Sequence, residues 1–156
     1  MPFDDRPTRL VPLTTYLLSQ TAKLAKRELD DRLGARGLRL RHMSVMASLD
    51  DGEASQLDLA RRLHLDPSDV TATVDDLETA GFAKRRTDPA DRRRKIVTLS
   101  GRGRRELATL EGIARDIEDR LLGPIPQRRR AELHRDLLAA LKASDERETE
   151  LKPARS

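Results

Sequence analysis

Residues 55–99 contain the feature that most constrains the fold, namely two short capped helices followed directly by a hairpin. Ser55 lies three residues before Asp58 at the start of QLDLARRL, which is the spacing of a capping box. Asp66 and Pro67 then take the N-cap and first positions of a second helix. Only three or four residues connect the two helices, and so tight a connection predicts a helix-turn-helix.

The segment after this motif predicts a β-hairpin. Phe82–Arg86 and Lys95–Leu99 are the expected strands, and the Asp-Pro pair at 88–89 marks the turn between them. Ser100 is placed to cap the helix that follows. A hairpin directly after a helix-turn-helix makes the winged form of that motif.

Further helices are expected on both sides of the motif. Apolar residues recur at helical spacing over Leu10–Leu33 and Leu40–Leu49, and again from Ser100 to about Leu122. The GPIP stretch at 123–126 ends that helix, and a last helix follows it.

Both ends of the chain are expected to be irregular. Residues 1–8 contain two prolines and are predicted to be unstructured. The tail from Ser144 is highly charged and is predicted to fray.

The terminal helices offer more apolar surface than one small chain can cover. Hydrophobic residues make up only 37% of the sequence, so we expect these helices to pack against a second copy of the chain. The predicted fold is mainly α, with a two-stranded winged helix-turn-helix lobe (39–99) and a helical dimerisation lobe (1–38 and 100–156).

Composition excludes several classes of function. No cysteine is present for a disulfide or a thiolate metal site, and His42, His64 and His134 lack ligand spacing, so no metal or cofactor is predicted. Neither a nucleophile elbow nor a phosphate-binding loop occurs, which argues against an enzyme. Three aromatic residues are too few for stacking on single strands. No membrane span or signal peptide is recognised, so a cytoplasmic location with no membrane partner is predicted.

Charge is divided sharply between neighbouring segments. Residues 84–105 carry ten cations against two acids, a net +8, of which Arg92, Arg93 and Arg94 are adjacent. Repulsion among them would be offset by a polyanion, and neutralised phosphates release counterions, so duplex DNA is the predicted partner. Residues 50–80 carry a net −7, and Asp75 and Asp76 have no role in capping that would explain them.

The second helix of the motif is expected to enter the major groove by its N-terminal end. Small polar side chains stand there, an Asp could accept from cytosine N4, and no arginine is available for guanine. We therefore expect the wing to supply most of the affinity. The residues predicted to contact DNA are Ser55, Gln56, Ser68, Asp69, Thr71, Ala72, Thr73, Arg86, Asp91, Arg92, Arg93 and Arg94.

From about residue 10 to 142 the chain resembles the multiple-antibiotic-resistance regulator (MarR) family of winged-helix transcription factors. The resemblance is most specific in DPADRRRKIVTLSGRG, and LARRLHLDPSDVTATVDDLETAGFAKR is similar to the family's helix-turn-helix. It implies that Asp91 braces the wing and that Arg93 enters the minor groove, with Arg92 and Arg94 as neighbouring alternatives.

The sequence departs from the family pattern at several positions. The family often has arginine where Ala72 and Asp76 stand, so base readout by the helix is expected to be modest. It commonly has threonine where Arg39 stands, so a loose start of the second helix is expected. His42 takes a position that is glutamine-like in the family.

The resemblance further implies a homodimeric regulator, by family default a repressor, that binds pseudo-palindromic operators. In such a dimer the first and last two helices of each copy interlock, and the residues predicted to form the interface are Leu10, Leu13, Leu17, Leu121, Leu133, Leu137, Leu138 and Leu141. It also implies a small aromatic or phenolic effector between the lobes, near Tyr16, His42, Met43 and Met46, with Arg9 or Arg41 available for a carboxylate. The alternatives are that Tyr16 and the methionines are core residues and that His42 is an ordinary helix-start residue.

A different class of function also remains open. The acidic helix-turn-helix would suit a winged-helix protein–protein adaptor without specific DNA binding.

Overall fold

The computed structural model describes residues 3–151, and the side chains of residues 4–147. Over these residues the chain is mainly helical, with a small antiparallel sheet, and the predicted winged helix-turn-helix is confirmed. The helices are α1 (Thr14–Gly34), α2 (Leu40–Asp50), α3 (Gln56–Leu63), α4 (Pro67–Thr79), α5 (Gly101–Leu121) and α6 (Gln127–Leu151). The strands are β1 (Ala54–Ser55), β2 (Ala83–Thr87) and β3 (Lys95–Leu99).

The chain divides into two compact units after Ile117. Residues 39–99 share the first unit with α1 and most of α5. The predicted division into a DNA-binding lobe and a dimerisation lobe stays a prediction, and its outermost residues, 1–2 and 152–156, lie outside the described residues. No helix among the described residues is long and apolar enough to cross a membrane.

The N-terminal segment differs from the prediction at two points. Phe3–Asp5 form a 3-10 turn within the stretch expected to be unstructured. Helix α1 begins at Thr14 rather than at Leu10, because Pro12 has no amide N–H and disfavours helical backbone at the residue before it. Leu10 and Leu13 therefore lie in the turns that precede the helix.

Helix α2 begins at Leu40 with a firmer start than its sequence predicts. The N-cap residue is Arg39, whose guanidinium has no acceptor atom for the first-turn amides. Instead, the backbone N–H of Arg39 donates to Nδ1 of His42 at 2.9 Å, which is the return half of a capping box. The expectation of a loose helix start is therefore wrong, because the side chain of His42 supplies the cap.

The helix-turn-helix closes through an unusual backbone conformation. His64 follows α3 with φ 50° and ψ 43°, a left-handed conformation that costs a non-glycine residue about 1 kcal/mol. This reversal lets Leu65 N–H donate to Ala60 O at 3.0 Å and leaves three residues before α4. Helix α4 then buries Val70, Val74 and Leu77 completely.

The sheet has one strand more than the sequence predicts. Strands β2 and β3 pair antiparallel from Ala83 opposite Leu99 to Thr87 opposite Lys95, which confirms the two-stranded wing. Strand β1 pairs with the other edge of β3, where Ala54 lies opposite Val97. The strand order of the sheet is therefore β1-β3-β2. A strand of two residues has no visible alternation, so sequence pattern could not identify it.

A single apolar core joins the elements of the first unit. Its fully buried side chains come from α1 to α5 and from β3 and include Leu33, Val45, Met46, Leu59, Val70, Val74, Leu77, Val97 and Leu110. Arg36 at the end of α1 also reaches Glu106 on α5 through two hydrogen bonds of 2.6 and 2.7 Å. Hydrogen bonding by Arg36 lowers the pKa of the Glu106 carboxyl.

Helix α5 starts where Ser100 caps it and where Gly103 allows close packing. The amide of Gly103 donates to Ser100 Oγ at 2.9 Å, so the predicted cap is confirmed. A Cβ atom on Gly103 would lie 2.1 Å from the backbone oxygen of Phe82 and 2.7 Å from Leu99. The sequence Ser-Gly-Arg-Gly thus permits the contact between the first turn of α5 and the base of the wing.

In the second unit, the turn at Gly123 is held by Arg130. Its guanidinium donates to the backbone oxygens of Ile125 at 2.7 Å and Gly123 at 3.4 Å, and pairs with Asp119 at 3.0 Å. Helix α6 continues to Leu151, so the expectation of fraying from Ser144 is wrong over the described residues. No Gly or Pro interrupts residues 144–151, and the glutamates and the arginine of this stretch favour a helix.

Two glycines of α5 provide a matched test of this packing. Gly103→Ala should lower the free energy of unfolding by about 1–3 kcal/mol, because the new methyl group overlaps the backbone of Phe82. Gly112→Ala, with nothing within 4 Å of its Cβ position, should instead raise it by up to about 1 kcal/mol through helix propensity. Urea unfolding of both variants measures the difference, and equal effects would contradict the close approach at Gly103.

Candidate nucleic-acid interface

The N-terminus of α3 is organised by Ser55. The amide of Asp58 donates to Ser55 Oγ at 3.1 Å, and the hydroxyl of Ser55 donates to Asp58 Oδ2 at 2.6 Å. The predicted cap is thus confirmed. However, Ser55 is only 4% exposed, so its side chain serves the cap and is not free to contact DNA as predicted.

The outer face of α4 carries most of the predicted base-contacting residues. Ser68, Asp69, Thr71 and Ala72 are exposed there, around the first two turns. Thr73 is fully buried, and its hydroxyl donates to the backbone oxygen of Asp69 at 2.7 Å. The prediction that Thr73 contacts DNA is therefore wrong, because this residue belongs to the face that packs inward with Val70 and Val74.

The wing tip is a turn held by two aspartates. Asp91 Oδ1 accepts from the amide of Arg93 at 2.9 Å, and Asp88 Oδ1 accepts from the amide of Ala90 at 2.9 Å. Both bonds span two residues, which is the Asx-turn pattern. Asp91 therefore fixes the backbone that carries Arg93.

Arg92 and Arg93 project from this tip without an internal partner. Both are exposed, and among the described residues neither side chain has a hydrogen bond or an ion pair. Two unpaired guanidinium groups on a braced turn are well placed to bind an external anion.

Much of the remaining positive charge is neutralised inside the chain, which corrects the picture of eight uncompensated cations. Four arginines of residues 84–105 pair with acids from the negative segment at 50–80. The pairs are Arg85 with Asp75 and Glu78, Arg86 with Glu53, Arg94 with Asp58, and Arg104 with Asp50. The opposite net charges of the two segments are thus partly neutralised by ion pairs between them in the fold.

These pairs differ in how readily they can exchange partners. The side chains of Arg86 and Arg94 are each 47% exposed, and exposed pairs contribute about 0–1 kcal/mol. An arriving phosphate can therefore replace Glu53 or Asp58 at small cost. The side chain of Arg85 is only 18% exposed, so it should exchange its partners less readily.

Arg85 joins the wing to both helices of the helix-turn-helix. From β2 its guanidinium donates to Gln56 Oε1 at 3.0 Å, to the backbone oxygen of Thr71 at 3.2 Å and to Glu78 at 3.1 Å, and it also pairs with Asp75. We call Gln56, Thr71, Asp75, Glu78 and Arg85 the Arg85 cluster. Because this one planar side chain of β2 contacts both α3 and α4, it fixes the angle between α4 and the wing.

Two residues predicted to contact DNA belong to the Arg85 cluster and are hydrogen-bonded within it. Gln56 Nε2 donates to Thr71 Oγ1 at 2.9 Å, and the Thr71 hydroxyl donates to the backbone oxygen of Pro67. Gln56 and Thr71 are thus occupied with positioning in the free protein. Arg85 was missed as a site residue, since nothing in its spacing identifies a partner ten residues away on another element.

A groove of about 610 Å³ separates α3 from the wing. Its cationic lining comes from Arg61 on α3 and from Arg93, Arg94 and Lys95 on the wing. Arg61 and Lys95 were not among the predicted contacts, although Arg61 stands one helical turn after Leu57 on the exposed face of α3. A groove with this lining and a helix N-terminus at its base suits a phosphate backbone.

Asp58 lines the edge of that groove, and its surroundings favour the ionised form of its carboxyl group. A hydrogen bond from Ser55 and a second from Arg94 lower the pKa of its carboxyl below the ordinary value. A depressed pKa stabilises the fold above the unfolded-state pKa, and this contribution is lost as pH falls through the folded-state value. The Asp58 carboxyl is therefore ionised at neutral pH, as its pairing with Arg94 requires.

Two of the residues predicted to surround an effector are occupied by contacts within the fold. His42 is 2% exposed, and its Nε2 lies 3.0 Å from Asp76, while Met46 is fully buried in the core. Tyr16 is half-buried on α1. These contacts favour the alternatives of a helix-start histidine and a core methionine, and His42 accounts for the otherwise unexplained Asp76.

A separate cavity of about 610 Å³ opens beside the start of α2. Lys26, Arg39 and Arg41 line it, and neither His42 nor Met46 does. The Nε atom of Arg41 is buried with no hydrogen-bond partner. The described residues contain no group of three or more histidines or acids that could hold a metal ion.

Removing Arg85 should destabilise the fold measurably. Arg85→Ala leaves Asp75 and Glu78 without their shared cation, so the free energy of unfolding should fall by about 1–3 kcal/mol. Lys84→Ala, at an exposed neighbour without an ion pair among the described residues, should change it by no more than about 0.5 kcal/mol. Chemical denaturation of the two variants tests this, and indistinguishable midpoints would mean that Arg85 does not hold the motif together.

Comparison with known proteins assigns the family. The family model described as "MarR family" matches residues 40–95, which cover α2 to the start of β3. No curated protein gives a significant sequence match.

Solved structures are similar over most of the chain. A probable transcriptional regulator from Pseudomonas aeruginosa is 30% identical, with 85% of this chain and 99% of that chain covered and a TM-score of 0.69. CouR from Rhodococcus jostii RHA1, solved with p-coumaroyl-CoA, is 28% identical, with 86% and 95% covered and a TM-score of 0.69. A MarR-family regulator from Rhodococcus sp. RHA1 is 27% identical, with 86% and 96% covered and a TM-score of 0.72. With its fold, its braced wing and these matches, the chain belongs to the MarR family of transcriptional regulators.

Proposed function

We propose that this protein is a homodimeric repressor that binds pseudo-palindromic duplex DNA. The N-terminal turns of α4 enter the major groove, and the wing tip enters the adjacent minor groove. The observation that carries the proposal is the pair of unpaired arginines, Arg92 and Arg93, on a turn that Asp91 fixes. Arginine in a narrow minor groove gains from the enhanced negative potential there.

The ion pairs suggest that some arginines position the motif and that others bind phosphates. The Arg85 cluster sets the angle between helix and wing before DNA arrives, so less ordering is needed on binding. Arg86 and Arg94 sit in exposed pairs that can be exchanged for phosphates, and Arg61 and Lys95 line the groove where a phosphate backbone would pass.

The ion pairs weigh against the alternative of a protein–protein adaptor. That alternative depended on the acidity of the helix-turn-helix, which would offer a basic protein partner an unpaired negative surface. Five of the nine acids at 50–80 instead pair with arginines of the wing region, and Asp76 contacts His42. Little unpaired negative charge is left for a protein partner.

Apolar surface that each unit exposes by itself supports the homodimer. In the first unit Leu10, Leu13, Leu17 and Leu18 are 38–49% exposed. In the second unit Leu137, Leu138 and Leu141 are 39–64% exposed, while Leu121 and Leu133 are half-buried. A two-fold dimer binds two half-sites about one helical turn apart, which makes the operator pseudo-palindromic. Bound across a promoter, such a dimer would block transcription.

A small anionic effector is a further part of this proposal. The relative CouR was solved with p-coumaroyl-CoA, an aromatic thioester that carries phosphates. In this chain the cavity beside the start of α2 is lined by Arg39 and Arg41 as well as by the Lys26–Asp30 ion pair, and its two arginines suit an anion better than the surroundings of Tyr16, His42 and Met46 do. An effector bound there would act by favouring one spacing of the two wings over another.

The wing assignment is tested by the salt dependence of DNA binding. Arg93→Ala should weaken binding to a selected duplex by about 1–3 kcal/mol and should flatten the dependence of affinity on salt concentration. Arg128→Ala is a matched control, because Arg128 is 91% exposed on α6 and its removal deletes the same charge outside the proposed interface. Fluorescence anisotropy across a salt titration gives both quantities, and equal slopes for the two variants would contradict the wing assignment.

Dimerisation is tested by the mass in solution. The wild type should sediment at twice the 17.6 kDa of one chain at micromolar concentration. Leu141→Glu should shift the equilibrium to the monomer, because a carboxylate would be desolvated in the interface. Leu57→Glu, at a leucine that is 52% exposed on α3, should leave the dimer intact. A monomeric wild type would refute the dimer.

A further inference from the structure

The exposed face of α4 retains few groups that are free to read a base. The segment Pro67–Thr79 contains no lysine or arginine, so the helix has no cation for guanine. Thr71 is occupied by Gln56 and Pro67. Asp75 and Glu78 are neutralised by Arg85.

Asp69 differs from the other acids of this helix. It lies in the first turn of α4 and is exposed, and its carboxylate has no hydrogen-bond or ion-pair partner among the described residues. Asp76, by contrast, lies 3.0 Å from His42. Within α4, Asp69 is thus the acid left uncommitted at the end that the proposed function places in the major groove.

A carboxylate discriminates among base edges because it only accepts hydrogen bonds. Guanine presents two acceptors in the major groove and thymine presents one, and both would repel it. Adenine presents its N6 donor beside the N7 acceptor. Cytosine presents the N4 donor and has no acceptor of its own in the major groove, so it is the base that a carboxylate should prefer.

We propose that Asp69 is a specificity-determining residue that reads a cytosine by accepting a hydrogen bond from its N4 amino group. This inference rests on the proposed function and names the base that the recognition helix selects. A negative charge near phosphates lowers affinity at every site, and the N4 hydrogen bond offsets that loss only at cytosine. Asp69 therefore acts mainly by rejecting the other bases.

Neighbouring residues allow the side chain to act in this way. The N-terminus of α4 stabilises a negative charge in its first turn. Ala72, one helical turn further along, is small and exposed, so it leaves room for the helix to approach the base edges. Its methyl group can also contact a thymine methyl.

Selection from a randomised duplex pool tests the assignment. The wild type should select cytosine at one position of each half-site, by about tenfold over the other bases. Asp69→Asn should change that preference to adenine, because an amide can accept from N6 and donate to N7 at once. Asp69→Ala should show no preference at that position. Asp51→Asn, which removes an exposed acid outside α4, should select as the wild type does.

A modified base isolates the hydrogen bond itself. N4-methylcytosine keeps its pairing with guanine but replaces the amino hydrogen that faces the major groove. This substitution should weaken wild-type binding about tenfold and leave Asp69→Ala unaffected. Thermal unfolding of each variant confirms that it is folded.

These experiments distinguish failure of the Asp69 assignment from failure of the proposed function. If the wild type binds duplex DNA and Asp69→Asn keeps its base preference, or N4-methylation has no effect, the role of Asp69 is overturned while the proposed function stands. If the wild type binds no duplex, the proposed function fails and this inference fails with it.

Discussion

The arrangement of the interface depends on the contact that Arg85 makes between the wing and the helix-turn-helix. A hairpin of two five-residue strands has little core of its own, so its direction must be fixed by what it touches. The guanidinium reaches Gln56 on α3 and both Thr71 and Glu78 on α4. Its side chain is only 18% exposed and makes several hydrogen bonds at once, so it should exchange partners less readily than Arg86 or Arg94. Helix α4 and the wing are thereby held as one surface.

The same contact explains the division of charge along the chain. An acidic helix-turn-helix beside a basic hairpin is hard to reconcile with DNA binding when each segment is considered alone. In the fold, the acids of one segment pair with the arginines of the other, most deeply at Arg85 and more superficially at Arg86 and Arg94. Among the cations of residues 84–105 that have no acid partner within the described part of the chain, Arg92 and Arg93 lie at the wing tip, and Lys95 lines the groove beside α3. Part of the positive charge of the wing thus stays available to an external anion although the neighbouring acids neutralise the rest.

Local chemistry in the sequence predicted the elements well, whereas contacts between distant residues could not be predicted. Ser55 and Ser100 were identified as caps because a cap depends on residues three positions apart. The turn at Asp88–Pro89 and the inward face of α4 depend on spacing in the same way. Strand β1 was missed because two residues carry no pattern, and Thr73 was misplaced because its small polar side chain hides its position on the buried face. The pairing of Arg85 with Asp75 and of His42 with Asp76 depends on how the helices and the wing pack, which no local pattern encodes.

The central claim is that acids of the helix-turn-helix hold the arginines of the wing in the free protein, and the Asp58 carboxyl reports it most directly. An NMR titration of that carboxyl should give a pKa below its ordinary value of 3.8, lowered first by the Ser55 hydroxyl and then by Arg94. In Arg94→Ala the pKa should rise part of the way back, because the hydrogen bond from Ser55 remains. An Asp58 carboxyl that titrates at its ordinary value, or one that is indifferent to the loss of Arg94, would contradict the account.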